Sequence, residues 1–234
     1  KRNYDEAREK LQLALQHLPA GNPYIKSVHE RLPALTLQMA EAAAAREDIP
    51  RAMELYDEAA RMATDDAVKA EVRLARANLL WKKQNNHARA YAELKEVIRL
   101  FPNSDAAGNA RSIAPEVLAA GAREALEQAE YERARELANT LREDWSESNQ
   151  TEQAGEIEAR ALYEQFRTAL NEEKAVHNKY YTELFKLYAD SPWAEAALLR
   201  RLGRKQEDKP LSNDTIQRLM GTAQKHRDAG NYED

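Results

Sequence analysis

The five histidines of this 234-residue chain, His17, His29, His87, His177 and His226, are its best-suited side chains for acid–base or metal chemistry, and they are scattered. None stands in a His-Glu-x-x-His pair, and cysteine is absent, which removes thiolate ligands, disulfides and a Cys nucleophile. Carboxylates are frequent, with 40 Asp plus Glu, so a pair at catalytic spacing carries no meaning without a pocket around it. No Gly-rich phosphate loop and no Gly-x-Ser-x-Gly elbow occurs. The expectation is therefore a chain with no catalytic residue, no cofactor and no metal, and not an enzyme.

Recognition chemistry has more to work with. Arg200, Arg201, Arg204 and Lys205 form a cationic cluster. Such a run is either a solvated helix face or a patch for an acidic partner segment or anionic lipid. Trp193 and Tyr180 are aromatic candidates for a partner contact, because Trp and Tyr are enriched at interface hot spots. Arg73, Arg76 and Lys83 lie near Trp81 and join the set as polar groove candidates. Residues 116–147 hold nine acids and four bases. The whole chain carries a net charge of -5, which argues against nucleic acid as the main partner.

The elements positioning these residues are helices. Ala, Leu, Glu, Arg and Lys dominate, while Gly (7) and Pro (8) are scarce. Apolar periodicity predicts helices at 3–18, 23–32, 33–46, 50–63, 66–84, 87–101, 104–113, 115–128, 130–144, 150–171, 174–188, 191–206 and 212–229. No run of about 18 apolar residues offers a membrane span.

One frame recurs along these helices: a small residue, a larger one four later, an apolar one at +7 and a helix stop at +12. It appears at Ala7, Leu11, Ala14 and Pro19, at Ala52, Tyr56, Ala59 and Thr64, and at Ala90, Leu94, Val97 and Pro102. Weaker copies follow at Ala134, Ala138, Leu141 and Ser146, and at His177, Tyr181, Leu184 and Ala189. The preceding helices repeat as well, through Thr36, Met39, Ala40 and Ala43, Leu74, Ala77, Asn78 and Trp81, and Leu118, Gly121, Ala122 and Ala125.

This pattern resembles the tetratricopeptide repeat family, whose unit of about 34 residues carries a small residue, an aromatic four later and a Pro after its second helix. The anchors here are 45, 38, 44 and 43 residues apart, closer to the HEAT and armadillo periods, but the anchor frame ending in Pro favours the tetratricopeptide type. The resemblance implies an all-α solenoid of antiparallel helix pairs over residues 1–234, with a right-handed superhelix of about five units, more irregular after residue 148. It further implies a scaffold that binds a protein or peptide on its concave surface. The clamp by which some members hold a partner's C-terminal carboxylate, Lys-x-x-Gly-Asn on a first helix, is missing.

Pro33 and Pro115 each lie 19 residues before an anchor alanine, and they predict equivalent helix breaks. Ser104 and Ser191 read as N-caps, Ser191 with Pro at the first helical position. The boundary Phe101-Pro102-Asn103-Ser104 is similar to that of bacterial envelope members of the family, which favours a periplasmic or envelope assembly or export complex over a cytoplasmic one. The alternative is an interaction module of a larger enzyme or polysaccharide exporter. Because Asn3-Tyr4-Asp5-Glu6 echoes Gly230-Asn231-Tyr232-Glu233, both chain ends are expected to cut through repeats.

Overall fold

The computed structural model describes residues 3–172, 174–201 and 221. Among them the chain is all-helical, without a strand, and forms α1 (Tyr4–His17), α2 (Tyr24–Ala45), α3 (Ile49–Met62), α4 (Asp66–Gln84), α5 (His87–Leu100), α6 (Asp105–Glu127), α7 (Tyr131–Asp144), α8 (Thr151–Asn171), α9 (His177–Tyr188) and α10 (Pro192–Arg201). Apart from residue 221, the expected helix at 212–229 lies outside the described residues, as do Arg204 and Lys205.

Each start has a local cause. Asn3, Asp48, Asp65 and Asn86 accept a backbone N–H with their side chains at the heads of α1, α3, α4 and α5. A cap of this kind contributes about 1 kcal/mol. The expected caps Ser104 and Ser191 are in place, with the N–H of Ala107 donating to Ser104 Oγ at 3.1 Å and that of Ala194 to Ser191 Oγ at 3.2 Å. Pro192 is the first residue of α10, where its missing N–H costs nothing.

The prolines correct one expectation. Pro33 and Pro115 do not break the chain into short and long helices; each sits inside one continuous helix, α2 or α6. A mid-helix Pro forfeits a backbone hydrogen bond and crowds the preceding turn, at about 3 kcal/mol or more. Packing offsets that cost in α2, because Pro33 is buried along with Val28, Leu32, Thr36, Leu37, Met39, Ala40 and Ala43. Thr36 Oγ1 donates to the Leu32 carbonyl at 2.8 Å, so its hydroxyl is satisfied inside the apolar layer.

Contacts divide the chain into two units, 1–121 and 122–234, with the division inside α6. In the first unit α1 packs on α2, α2 on α3, α3 on α4 and α4 on α5, so sequence neighbours are spatial neighbours. Its core joins Leu37, Met39 and Ala40 of α2 to Ala52, Leu55, Tyr56 and Ala59 of α3 and Val72 and Leu79 of α4. Anchor alanines Ala52 and Ala90 are completely buried. Ala7, in the same frame, is exposed.

In the second unit α7 and α8 run antiparallel, since Arg142 late in α7 meets Glu158 while Arg135 early in α7 meets Gln165 further along α8. α8 and α9 are antiparallel too, with Glu158 against Tyr188 and Phe166 against Tyr181. The core between them holds Ala159, Leu162, Phe166, Leu184, Ala194 and Ala197. Each fully buried Leu or Phe here contributes about 1.5–3 kcal/mol.

Three turns between a first and a second helix share one backbone device. Glu47, Asn85 and Ala129 all have positive φ, at 64°, 49° and 59°, and each stands five residues before an anchor alanine. The residue that follows each, Asp48, Asn86 or Glu130, is the N-cap of the next helix. A left-handed residue lets the last turn of one helix close its free carbonyls before the chain reverses. Asn tolerates this conformation, whereas at Ala129 the Cβ is strained.

Candidate interaction surface

Arg73, Arg76 and Lys83, expected in a groove, are occupied elsewhere. Their positions on α4 turn the first two toward α3 and α5. Arg73 donates to Glu93 at 3.1 Å, and Arg76 bridges Glu93 at 2.5 Å and Asp57 at 2.8 Å. All are half-buried or better except Asp57, so these pairs tie three helices together. Lys83 pairs with Glu47 at 3.1 Å on the surface. Trp81 is half-buried, with the Lys82 ammonium 5.3 Å from its ring centroid.

Glu41 on α2 and Glu71 on α4 are exposed, and neither has an ion-pair partner among the described residues. Burial, and then the charge of Glu71, hold the Glu41 carboxyl above its ordinary value. Tyr56, buried beneath, is pushed up to about 12 by burial and then by Glu41.

In the second unit a buried polar network links α7, α8 and α9. Glu158, 5% exposed, accepts from Arg142 at 3.0 Å and from the Tyr188 hydroxyl at 2.5 Å, and Arg142 also donates to that hydroxyl oxygen. Burial, followed by the bond to Glu158, pushes the Tyr188 hydroxyl well up. Two turns earlier on α7, Arg135 donates to Glu183 and to Gln165, whose amide donates to Glu132 at 2.6 Å. An open depression of about 400 Å³ lies beside this group, lined by residues 129–133 and Gln165.

Tyr180 and Trp193 both come to the α8–α9–α10 cluster, where each is half-buried. Trp193 lies tilted against Tyr163, with ring centroids 5.5 Å apart at 38°, and the guanidinium of exposed Arg160 stands 5.4 Å from its centroid. Arg200 donates to the side-chain oxygen of Asn171 at 3.1 Å. Arg201 stands 4.7 Å over the ring of Tyr181, whose hydroxyl is held up by burial more than Arg201 lowers it. Trp193, Arg160 and Arg200 thus share one face, and Arg201 points to α9 instead. Arg160 and Tyr163 were absent from the residues singled out by sequence; their one available signal is the spacing of a single helical turn on a helix rich in alternating charge.

Neither a family model nor a curated protein sequence matches this chain.

Proposed function

We propose that this chain is a helical-repeat scaffold of the tetratricopeptide-like kind, holding a protein or peptide on the outward faces of its first helices. The observation that carries the reading is the recurrence of one local unit in the backbone itself. A left-handed residue at −5, an N-cap at −4 and a fully buried alanine at the anchor recur at Ala52, Ala90 and Ala134.

A tertiary contact supports it further. Arg8, one residue after Ala7, pairs with Glu58, six after Ala52; Arg135, one after Ala134, pairs with Glu183, six after His177. The same clamp between successive second helices therefore occurs once in each unit. Helix pairs built this way bury their apolar faces against neighbours, which leaves first-helix faces as extended binding surface. The setting suggested by the resemblance, an assembly of the bacterial envelope, belongs to the same proposal and rests on the resemblance alone.

Affinity capture on the immobilised chain, followed by hydrogen exchange of the chain with its captured partner, tests this. Protection is expected on the outward stripe of α4 or α8. No specific partner, or protection confined to α3, α5, α7 and α9, would overturn it.

A further inference from the structure

On the face shared by α8 and α10, an exposed arginine rests on an aromatic ring rather than on the carboxylates one helical turn to either side. Glu156 and Glu164 flank Arg160 at i−4 and i+4, the spacing at which helical ion pairs form. Arg160 pairs with neither. Its guanidinium rests over Trp193, and Glu164 is taken by Arg167 at 2.6 Å. Arg200, seven residues beyond Trp193 on α10, has no ion pair among the described residues and donates to the neutral amide of Asn171. A guanidinium stacked on an indole keeps its N–H edge free, and that edge matches a carboxylate bidentately. The half-buried ring and Tyr163 shield one side of such a contact from water, which strengthens it.

We infer that this ledge docks an extended acidic segment of a partner protein, one carboxylate on Arg160 and a second on Arg200. The inference rests on the protein-binding reading above. From Trp193 to Arg200 the helix rises about 10 Å, a span that a chain in the extended polyproline II conformation covers in about three residues, with residues i and i+3 on one face. The segment recognised is therefore acidic-x-x-acidic. A membrane surface fits less well, because the stripe carries Glu156 and Glu164 among its arginines rather than a broad cationic field. Nucleic acid fits less well for the same reason and for the chain's net charge of -5.

The test is an NMR titration of the full chain at low salt, reading the indole N–H of Trp193. The probe is a short Gly/Ser peptide carrying two Glu three residues apart. Its twin carries Gln at both places. The Glu peptide is expected to bind about a hundredfold tighter than the Gln peptide, since it makes two charge-assisted hydrogen bonds that contribute about tenfold each. Arg160→Gln and Arg200→Gln should each weaken it by about tenfold, while Arg61→Gln, removing the same charge from an exposed site in the first unit, leaves it unchanged. Arg160→Lys keeps the charge without the planar fork and is expected to fall between. Equal affinity for the two peptides, an equal loss in Arg61→Gln, or Arg160-dependent binding to anionic phospholipid vesicles and not to the peptide overturns the inference. If the peptide fails while partner protection still maps to first helices, this inference falls and the scaffold reading stands.

Discussion

Two sets of arginines on first helices are used in opposite ways. On α4, Arg73 and Arg76 reach back between α3 and α5 and end on Glu93 and Asp57. On α8 and α10, Arg160 and Arg200 end on an indole ring and a neutral amide. Helical position decides which: a residue turned toward the second helices meets their carboxylates, and one on the outward stripe meets solvent and the next first helix. The first set holds helices together and has little left to give a ligand. The second set gives the fold little and keeps its hydrogen-bonding edge.

The largest effect expected from this contrast is on stability at α4. Arg76→Ala leaves Glu93, with its side chain 20% exposed, short of its closest cation and cuts the tie to Asp57. The cost is expected to be about 1–2 kcal/mol, the range for losing a charge-assisted bond at a half-buried site. Urea denaturation followed by circular dichroism measures it, and a midpoint unchanged from the parent chain would break the comparison at its stronger end.

Glu41 mirrors the outward arginines, a carboxylate without a cation. Its folded value is raised by burial and by Glu71, so the fold favours its protonated form. A raised carboxyl contributes stability that is complete below its ordinary value of 4.5 and is lost as pH rises through the folded value. Glu41→Gln is therefore expected to stabilise the chain at pH 7, by less than about 1 kcal/mol because the group is largely solvated. The gain should vanish at pH 4. Urea midpoints at both pH values decide it, and an equal gain at both would mean that the side chain's packing, not its charge, is responsible.

The helical elements were legible because their signals are local. Anchor alanines, the caps Ser104 and Ser191, and periodic apolar positions each act within a turn or two, and the helices lie close to where these place them. Pro33 and Pro115 misled for a tertiary reason: a helix continues through proline when its burial against a neighbouring helix outweighs one lost hydrogen bond. The left-handed turns at Glu47 and Ala129 were hidden too, since neither residue is one that the conformation favours. Arg73, Arg76 and Arg160 look alike in the sequence, all long cations on amphipathic helices. Only the partner helices, brought in by tertiary packing, separate an internal tie from an outward ledge.

The smallest effect expected is therefore the most informative. Arg160 is exposed, has no ion pair among the described residues, and contacts one ring that is already held against Tyr163. An exposed cation–π contact of this sort contributes about 0.5–1 kcal/mol, so Arg160→Ala should lower stability by no more than that. The indole environment should change more than the fold does, which makes Trp193 emission, read in a Trp81→Phe, Trp145→Phe background with its own Arg160 control, the sensitive readout beside the urea midpoint. A stability loss matching that of Arg76→Ala would place Arg160 among the structural ties and remove the reason for treating its face as unclaimed. A near-neutral midpoint with a shifted Trp193 spectrum would leave that guanidinium as a group the fold does not need, on a surface whose aromatic neighbours hold it in one place.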